Sequence, residues 1–192
     1  MIAVIFGIQG VGKSTLVTEV LKDKPRFKRL YWGEYAFKLA LEQKLVKTKD
    51  EIRELPVTVQ KKLQKDVGKH LAEIIKKNHS ADYVIETHAA LKTRQGYMPG
   101  LTPQILDLIM PDIFIVIESD AKDIYHRRIL DETRKREHDK TIKDIQLNLD
   151  TTRLFAADFS THTGANLMFV ENVEDNLDIA VDNVVKALEL YN

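Results

Sequence analysis

A glycine-rich stretch near the amino terminus, Gly7 to Ser14, fits the pattern Gly-x-x-x-x-Gly-Lys-Ser that is typical of a phosphate-binding P-loop. Its glycines allow backbone N–H groups to curl around an anion, because no Cβ atom blocks the approach. Lys13 should reach the β- and γ-phosphates of a nucleoside triphosphate, and the Ser14 hydroxyl should bind Mg²⁺. The stretch follows a strand-like run and opens a predicted helix, whose positive end adds to the attraction. We therefore predict a nucleotide site formed by Gly7, Ile8, Gln9, Gly10, Val11, Gly12, Lys13, Ser14 and Thr15.

A second group of interest is the carboxylate of Glu86, which ends an apolar run and is followed by Thr87 and His88. A carboxylate at the end of a strand beside a P-loop can hold a water molecule bound to Mg²⁺. The alternative is an acidic side chain at the strand end that faces solvent. The sequence leaves both possibilities open.

Four arginines fall within ten residues between two predicted helices: Arg127, Arg128, Arg134 and Arg136. Planar guanidinium groups match the charge that phosphoryl transfer spreads over equatorial oxygens. A kinase must also keep water away from the γ-phosphate, so a short mobile cover that carries arginines is expected. The alternative is a solvated helix face with ion pairs four residues apart.

A third region, residues 92–101, combines basic side chains with glycines and leaves the same predicted edge of the sheet. It suits either a second anionic ligand or an ordinary surface loop. No obvious general base accompanies these groups. A monophosphate acceptor needs none, because its second pKa of about 6 makes it a dianionic nucleophile near neutral pH.

Composition limits the class of protein. The 192 residues include 29 Lys plus Arg and 29 Asp plus Glu, so the net charge is zero, which argues against a nucleic-acid partner. The absence of cysteine excludes disulfides and thiolate metal sites. The apolar runs have the length of strands and fall short of a membrane span. We expect a soluble, cytoplasmic protein that does not associate with membranes.

Five apolar runs alternate with longer helical patterns, which predicts an α/β fold with a parallel sheet and helices on both faces. The predicted strands are Ile2 to Phe6, Arg29 to Trp32, Tyr83 to Thr87, Ile113 to Glu118 and Leu167 to Val170. The predicted helices are Ser14 to Lys22, Glu34 to Val46, Val57 to Lys77, a short one from Pro103, Lys122 to Leu130, Ile142 to Phe159 and Leu177 to Leu190. A loop is expected through Gly96, Pro99 and Gly100. Ligands bind outside the carboxyl ends of such strands.

Two strings in the sequence are more specific than the P-loop: Gly96-Tyr97-Met98-Pro99-Gly100-Leu101 and Asp131-Glu132-Thr133-Arg134-Lys135-Arg136. With Thr87-His88 and the segment Lys49 to Leu55, they make the chain resemble archaeal adenylate kinases nearly from end to end. The resemblance implies a P-loop NTP hydrolase-like three-layer sandwich with five parallel strands, and the reaction ATP + AMP ⇌ 2 ADP with Mg²⁺. It also implies a homotrimer.

The resemblance further implies one kinase domain in three parts. The core would comprise about 1–32, 79–126 and 141–192, a helical AMP-binding region about 33–78, and a short lid about 127–140. Two other functions stay open: a kinase for another nucleoside monophosphate, and an adenylate-kinase-like ATPase or assembly factor.

Residue roles follow from the same resemblance. Lys13 would stabilise the transferring group together with the catalytic arginines Arg127, Arg128, Arg134, Arg136 and Arg153. The metal would lie at Ser14 and Glu86, where the family usually has aspartate in place of Glu86. The ATP adenine would be bordered by Thr163, Gly164 and Ala165 and by Glu171 to Val173. AMP would contact Gly33, Arg53, His88, Lys92, Gly96, Tyr97, Gly100 and Leu101.

Overall fold

Five strands form one parallel sheet in the order β2-β3-β1-β6-β7, in a computed structural model that describes residues 1–22, 24–93, 95–130, 141–173 and 176–191. Its strands are β1 (Ile2–Phe6), β2 (Phe27–Tyr31), β3 (Asp82–Glu86), β6 (Ile113–Glu118) and β7 (Asn166–Glu171). Two further strands, β4 (Ala90–Thr93) and β5 (Gly96–Pro99), pair as an antiparallel hairpin.

The helices are α1 (Lys13–Leu21), α2 (Trp32–Glu42), α3 (Val57–Lys77), α4 (Pro103–Ile109), α5 (Ala121–Leu130), α6 (Ile142–Thr163) and α7 (Leu177–Glu189). A 3-10 helix at Asp50–Glu54 precedes α3. Across the residues described, no helix combines the length and the apolarity needed to cross a membrane.

The sheet lies between two helical layers because alternate side chains of each strand point to opposite faces. Val4 and Phe6 of β1 belong to the core that includes α2, α3 and α4, whereas Ala3 and Ile5 belong to the core that includes α1 and α7. Burial on both faces explains why these strands are continuously apolar. The predicted three-layer α/β fold is therefore confirmed.

All five strands run in the same direction, so their carboxyl ends share one edge of the sheet and their amino ends share the other. The P-loop, which follows β1, and Thr87, which follows β3, both lie at the carboxyl edge. At the amino edge, the N–H of Asp112 donates to the carbonyl of Ile2, and the N–H of Asn166 donates to the carbonyl of Asp112. We call these the carboxyl edge and the amino edge.

The structure corrects two predicted elements. The expected loop through Gly96, Pro99 and Gly100 is mostly the β4–β5 hairpin, whose strands are too short to show an alternating pattern. The predicted second strand ends one residue earlier, because α2 begins at Trp32. Helix α5 ends at Leu130 as predicted, so residues 127–130 of the predicted lid belong to its last turn. The rest of the predicted lid, up to residue 140, lies outside the described residues.

Candidate active site

The P-loop connects β1 to α1 and depends on glycine at two positions of left-handed backbone. Gly10 has φ 81° and Gly12 has φ 85°, conformations that side chains other than glycine rarely adopt. A Cβ atom at Gly12 would also lie 2.3 Å from Nδ2 of Asn172. The helix begins directly at Lys13, so the turn delivers this lysine and Ser14 to the carboxyl edge.

Side chains from outside the loop hold its carbonyl groups. Arg128 on α5 donates from Nε (2.9 Å) and Nη2 (2.6 Å) to the carbonyl of Gln9. Asn172, which follows β7, donates from Nδ2 to the carbonyl of Val11 (2.8 Å), and Arg127 makes a longer contact of 3.5 Å to the same carbonyl. These bonds fix the loop. The predicted catalytic arginines Arg127 and Arg128 thus lie against the P-loop, in contact with its backbone.

The loop lysine pairs with the carboxylate at the end of β3. Nζ of Lys13 lies 3.0 Å from Oε1 of Glu86, and the Ser14 hydroxyl donates to the same oxygen at 2.5 Å. Arg29 of β2 donates from Nε (3.1 Å) and Nη2 to the other oxygen, Oε2. Glu86 is fully buried, so the alternative of a strand-end acid that faces solvent is wrong.

Burial and the neighbouring charges shift the pKa of each partner of this pair in opposite directions. Burial alone would raise the pKa of Glu86, but the charge of Lys13 and the hydrogen bonds from Ser14, Arg29 and Lys13 together hold that pKa below its usual value. Burial lowers the pKa of Lys13, and Glu86 opposes this effect. The carboxylate is therefore the internal partner of Lys13 when no phosphate is bound.

The residues predicted for the metal fit Mg²⁺. The ion prefers hard oxygen ligands and is usually held by one or two protein oxygens together with substrate phosphates. The Ser14 hydroxyl and Oε1 of Glu86 are adjacent oxygens at the mouth of the P-loop. Glu86 therefore places a carboxylate oxygen beside the Ser14 hydroxyl.

Two residues predicted to contact AMP also reach the P-loop. Arg53, in the 3-10 helix, donates from Nη1 to Oε1 of Gln9 at 3.0 Å. The Nδ1 atom of His88 lies 2.7 Å from the carbonyl of Gly7. Burial, with a further contribution from the charge of Lys13, lowers the pKa of His88 to about 3. His88 is therefore neutral at physiological pH and acts as a hydrogen-bonding group.

The other predicted AMP residues are spread over the hairpin and the start of α2. The Lys92 ammonium lies 5.9 Å from the centre of the Tyr97 ring. Gly96 is exposed at the hairpin turn, with no other atom within 4 Å of the Cβ position. Leu101 is buried in the core that includes α3 and α4, which corrects its predicted role as a ligand contact. Gly33 lies next to Tyr31 and Lys49.

Gly100 is needed for close packing of the hairpin on the strand end. A Cβ atom there would lie 1.8 Å from the carbonyl oxygen of His88, and the Gly100 N–H donates to the carbonyl of Ala89 at 2.7 Å. These contacts attach the hairpin directly beside the carboxyl edge of the sheet.

The predicted adenine contact of Thr163, Gly164 and Ala165 is wrong, because these residues lie at the amino edge. They end α6 and precede β7, whose first residue, Asn166, is in register with Ile113. The P-loop follows the opposite end of the strands, roughly 16 Å away at 3.3 Å per residue. Of the residues first expected near adenine, those that follow β7, including Asn172, are at the carboxyl edge.

Arg153 also lies at the carboxyl edge, where it forms a bidentate ion pair with Glu118 at the end of β6. Its Nε lies 2.6 Å from Oε1 and its Nη2 lies 2.8 Å from Oε2. The remaining predicted catalytic arginines, Arg134 and Arg136, lie outside the described residues.

Sequence reasoning missed two residues of the site. Arg29 binds Glu86, and Lys49 carries a positive charge that lowers the pKa of Lys13, a smaller effect than burial. Asn172 was among the residues expected near the adenine, and the structure shows it bound to the P-loop backbone. Arg29 lies inside a strand, and only the pairing of β2 with β3 brings it near Glu86.

Comparison with known proteins agrees with this geometry. A family model described as an AAA domain matches residues 6–146. The adenylate kinase of Methanocaldococcus jannaschii is 34% identical, with 98% of each chain covered, and that of Pyrococcus horikoshii is 37% identical over 98% of this chain and 95% of the relative. The crystal structure of a shikimate kinase from Bacteroides thetaiotaomicron has a TM-score of 0.62 at 15% identity over 98% of both chains, which shows the shared fold. The chain carries an AAA domain and belongs to the adenylate kinase family.

Proposed function

We propose that this protein catalyses the reversible, Mg²⁺-dependent transfer of the γ-phosphoryl group of ATP to AMP, which gives two molecules of ADP. The observation that carries the proposal is the buried pair of Lys13 and Glu86, joined by the Ser14 hydroxyl at the mouth of the P-loop. Arg53 from the helical region reaches the same loop, so cations from two sides converge on one place.

ATP binds with its β- and γ-phosphates against the backbone N–H groups of the P-loop. Lys13 leaves Glu86 and pairs with these phosphates, because they offer it more negative charge than one carboxylate. The main catalytic effect is then electrostatic and positional: fixed cations stabilise the charge of the transferring group, and both substrates are held in line. No general base is required, because the AMP phosphate is already a dianion near neutral pH.

Ser14 and Glu86 are the residues that would hold Mg²⁺, which would supply positive charge to the phosphates of ATP when bound. Arg128 and Asn172 keep the loop in its binding conformation. Arg53, Lys92 and Gly33 serve the acceptor, and His88 supports the P-loop as a neutral donor. Arg127, Arg153, Arg134 and Arg136 remain proposed lid and catalytic arginines.

The chemistry of this site makes ATP, AMP and ADP its ligands. A homotrimer and a cytoplasmic location are part of the same proposal: the first rests on the family resemblance, the second on the lack of cysteine. Neither nucleic acid nor a membrane is needed for the reaction. The proposed division into core, helical AMP-binding region and lid assigns α2, the 3-10 helix and α3 to the acceptor side.

The test is formation of ADP from ATP in the presence of AMP, CMP, UMP or GMP, each with and without Mg²⁺. We expect rapid ADP formation with AMP and Mg²⁺, and little without either. Preference for another monophosphate would replace AMP as acceptor but keep the kinase assignment. Slow ATP hydrolysis that no monophosphate stimulates would instead indicate an ATPase and overturn the proposal.

A further inference from the structure

Arg29 belongs to the same charged cluster but lies on β2, away from the P-loop. It is in register with Val84, and Val84 packs in the core that includes α1. Because side chains alternate along a strand, Glu86 lies on the same face as Val84. Arg29 therefore reaches Glu86 along the face that α1 covers.

The two oxygens of Glu86 have different partners. Oε1 receives hydrogen bonds from Lys13 and Ser14, which are P-loop groups. Oε2 receives both of its bonds from Arg29, from Nε at 3.1 Å and from Nη2. The carboxylate is thus fixed in one orientation, with only Oε1 facing the phosphate site.

Arg29 is itself fixed by α1. Its Nη1 donates to Oγ1 of Thr18 at 2.9 Å, and the Thr18 hydroxyl donates to the carbonyl of Ser14 at 2.8 Å. A planar guanidinium with three directed hydrogen bonds has little freedom to follow a ligand, unlike the single ammonium group of Lys13.

We propose that Arg29 is a positioning residue for ATP binding: it orients Glu86 through Oε2 and remains as the counter-charge of Glu86 when Lys13 moves to the phosphates. The inference rests on the proposed function for its substrate, ATP. In the described part of the chain, Lys13 and Arg29 are the two cations that pair with Glu86. Without Arg29 and in the absence of Mg²⁺, transfer of Lys13 to ATP would leave a fully buried carboxylate without a cation, which is unfavourable.

The consequence is competition for Lys13. In an Arg29→Met variant, Glu86 retains Lys13 more strongly, and ATP must overcome that attraction. Loss of a residue that orients a ligand-binding group typically weakens binding about 10- to 100-fold, and we expect that range for ATP. The KM for AMP should change less than threefold, because the hydrogen bonds of Arg29 go to Glu86 and Thr18 and not to the residues proposed to contact AMP.

The experiment measures ATP binding by calorimetry in the absence of AMP, with and without Mg²⁺, together with kcat and both KM values. Arg29→Lys keeps the charge and should recover part of the affinity. Arg26→Met is the matched control: Arg26 is also near β2, but it pairs with Asp82 at the amino edge, 3.2 Å away. It should bind ATP like the wild type. Equal ATP affinity of Arg29→Met and Arg26→Met would overturn the proposal.

If Arg29→Met does not fold, a double variant still tests the proposal. Glu86→Gln removes the charge that Arg29 balances, so adding Arg29→Met to Glu86→Gln should change ATP affinity less than twofold. A further tenfold loss in that background would mean that Arg29 acts independently of Glu86, contrary to the proposal. Because ATP binding is measured without AMP, this test does not depend on which monophosphate is the acceptor.

Discussion

Both edges of the sheet carry ion pairs, and among the described residues the pair with both members buried lies at the carboxyl edge. Lys13 and Glu86 are 6% and 0% exposed, and Arg29 joins them. At the amino edge, Asp82 binds the terminal ammonium of Met1 at 2.7 Å and Arg26 at 3.2 Å, with Asp82 22% and Arg26 43% exposed. The same kinds of groups thus occur in two very different environments.

This difference in burial indicates where a bound phosphate can replace a carboxylate as the partner of a lysine. A buried charge loses its hydration, and only its partners offset that free-energy cost. An exposed ion pair changes the stability of the protein little. A buried lysine that rests on a carboxylate is therefore an arrangement suited to a site where phosphates replace that carboxylate. The amino edge has no such arrangement among the residues described, and its pairs fix the ends of the strands.

The largest expected effect is on catalysis at the carboxyl edge. Lys13→Met should lower kcat by about 10³-fold or more, because the transferring phosphoryl group loses its principal cation from the protein. Lys24→Met, which removes a partly exposed lysine paired with Glu189, is the matched control and should retain activity within twofold. Steady-state assays of ADP formation measure both; similar rates for the two variants would remove the distinction between the edges.

The next effect concerns stability. Glu86→Gln leaves the buried Lys13 and the partly exposed Arg29 without their carboxylate and should lower the free energy of unfolding by about 3–5 kcal/mol. Asp82→Asn at the amino edge should cost less than about 1 kcal/mol, because Asp82 and its partner Arg26 both keep contact with solvent. Urea denaturation of the apo proteins gives both values. Equal costs would show that burial does not distinguish the two pairs.

Two glycines with left-handed backbone sharpen the comparison further. Gly12→Ala combines unfavourable φ with a clash against Asn172, and should cost about 2–4 kcal/mol and abolish ATP binding. Gly164→Ala has φ 73° but open space at the Cβ position, so only the backbone conformation costs, by about 1–2 kcal/mol. Its affinity for ATP should equal that of the wild type. Loss of ATP affinity in Gly164→Ala would restore the adenine assignment of residues 163–165.

The smallest effect is the dependence of stability on pH through His88. Its pKa falls from 6.5 in the unfolded chain to about 3 in the folded protein, so below pH 6.5 the unfolded state binds a proton that the folded state does not. The free energy of unfolding should therefore fall on acidification, by about 1 kcal/mol between about pH 7 and about pH 5.5.

Denaturation at several pH values checks this. His88→Asn can still donate to the carbonyl of Gly7 and should show a flatter dependence. His79→Asn, which removes an exposed histidine near the amino edge, should keep the wild-type slope. A wild-type slope in His88→Asn would indicate that another group is responsible.

Strands buried on both faces and long amphipathic helices were the most predictable parts of the fold. The bounds of β6 (Ile113–Glu118) and α3 (Val57–Lys77) agree with prediction, because continuous β-branched runs and regular apolar spacing depend only on local sequence. The β4–β5 hairpin was not predicted, because its stability comes from packing of Gly100 against His88.

The site was predictable where a local motif or a strand end marked it. The P-loop is contiguous in sequence, and Glu86 ends a strand, so the rule for parallel sheets places both at one edge. Arg29 could not be found this way, because its role depends on strand pairing across 57 residues. The same rule argues against Thr163 to Ala165, which precede a strand; their predicted role came from the resemblance alone.

The most direct test of the central claim is a calorimetric titration of ATP with Mg²⁺ into the purified protein without AMP. The account predicts one saturable site per chain, strongly weakened by Lys13→Met and unchanged by Lys24→Met. A wild-type protein without saturable ATP binding, or binding that Lys13→Met leaves intact, would contradict the claim that the P-loop and its lysine form the nucleotide site.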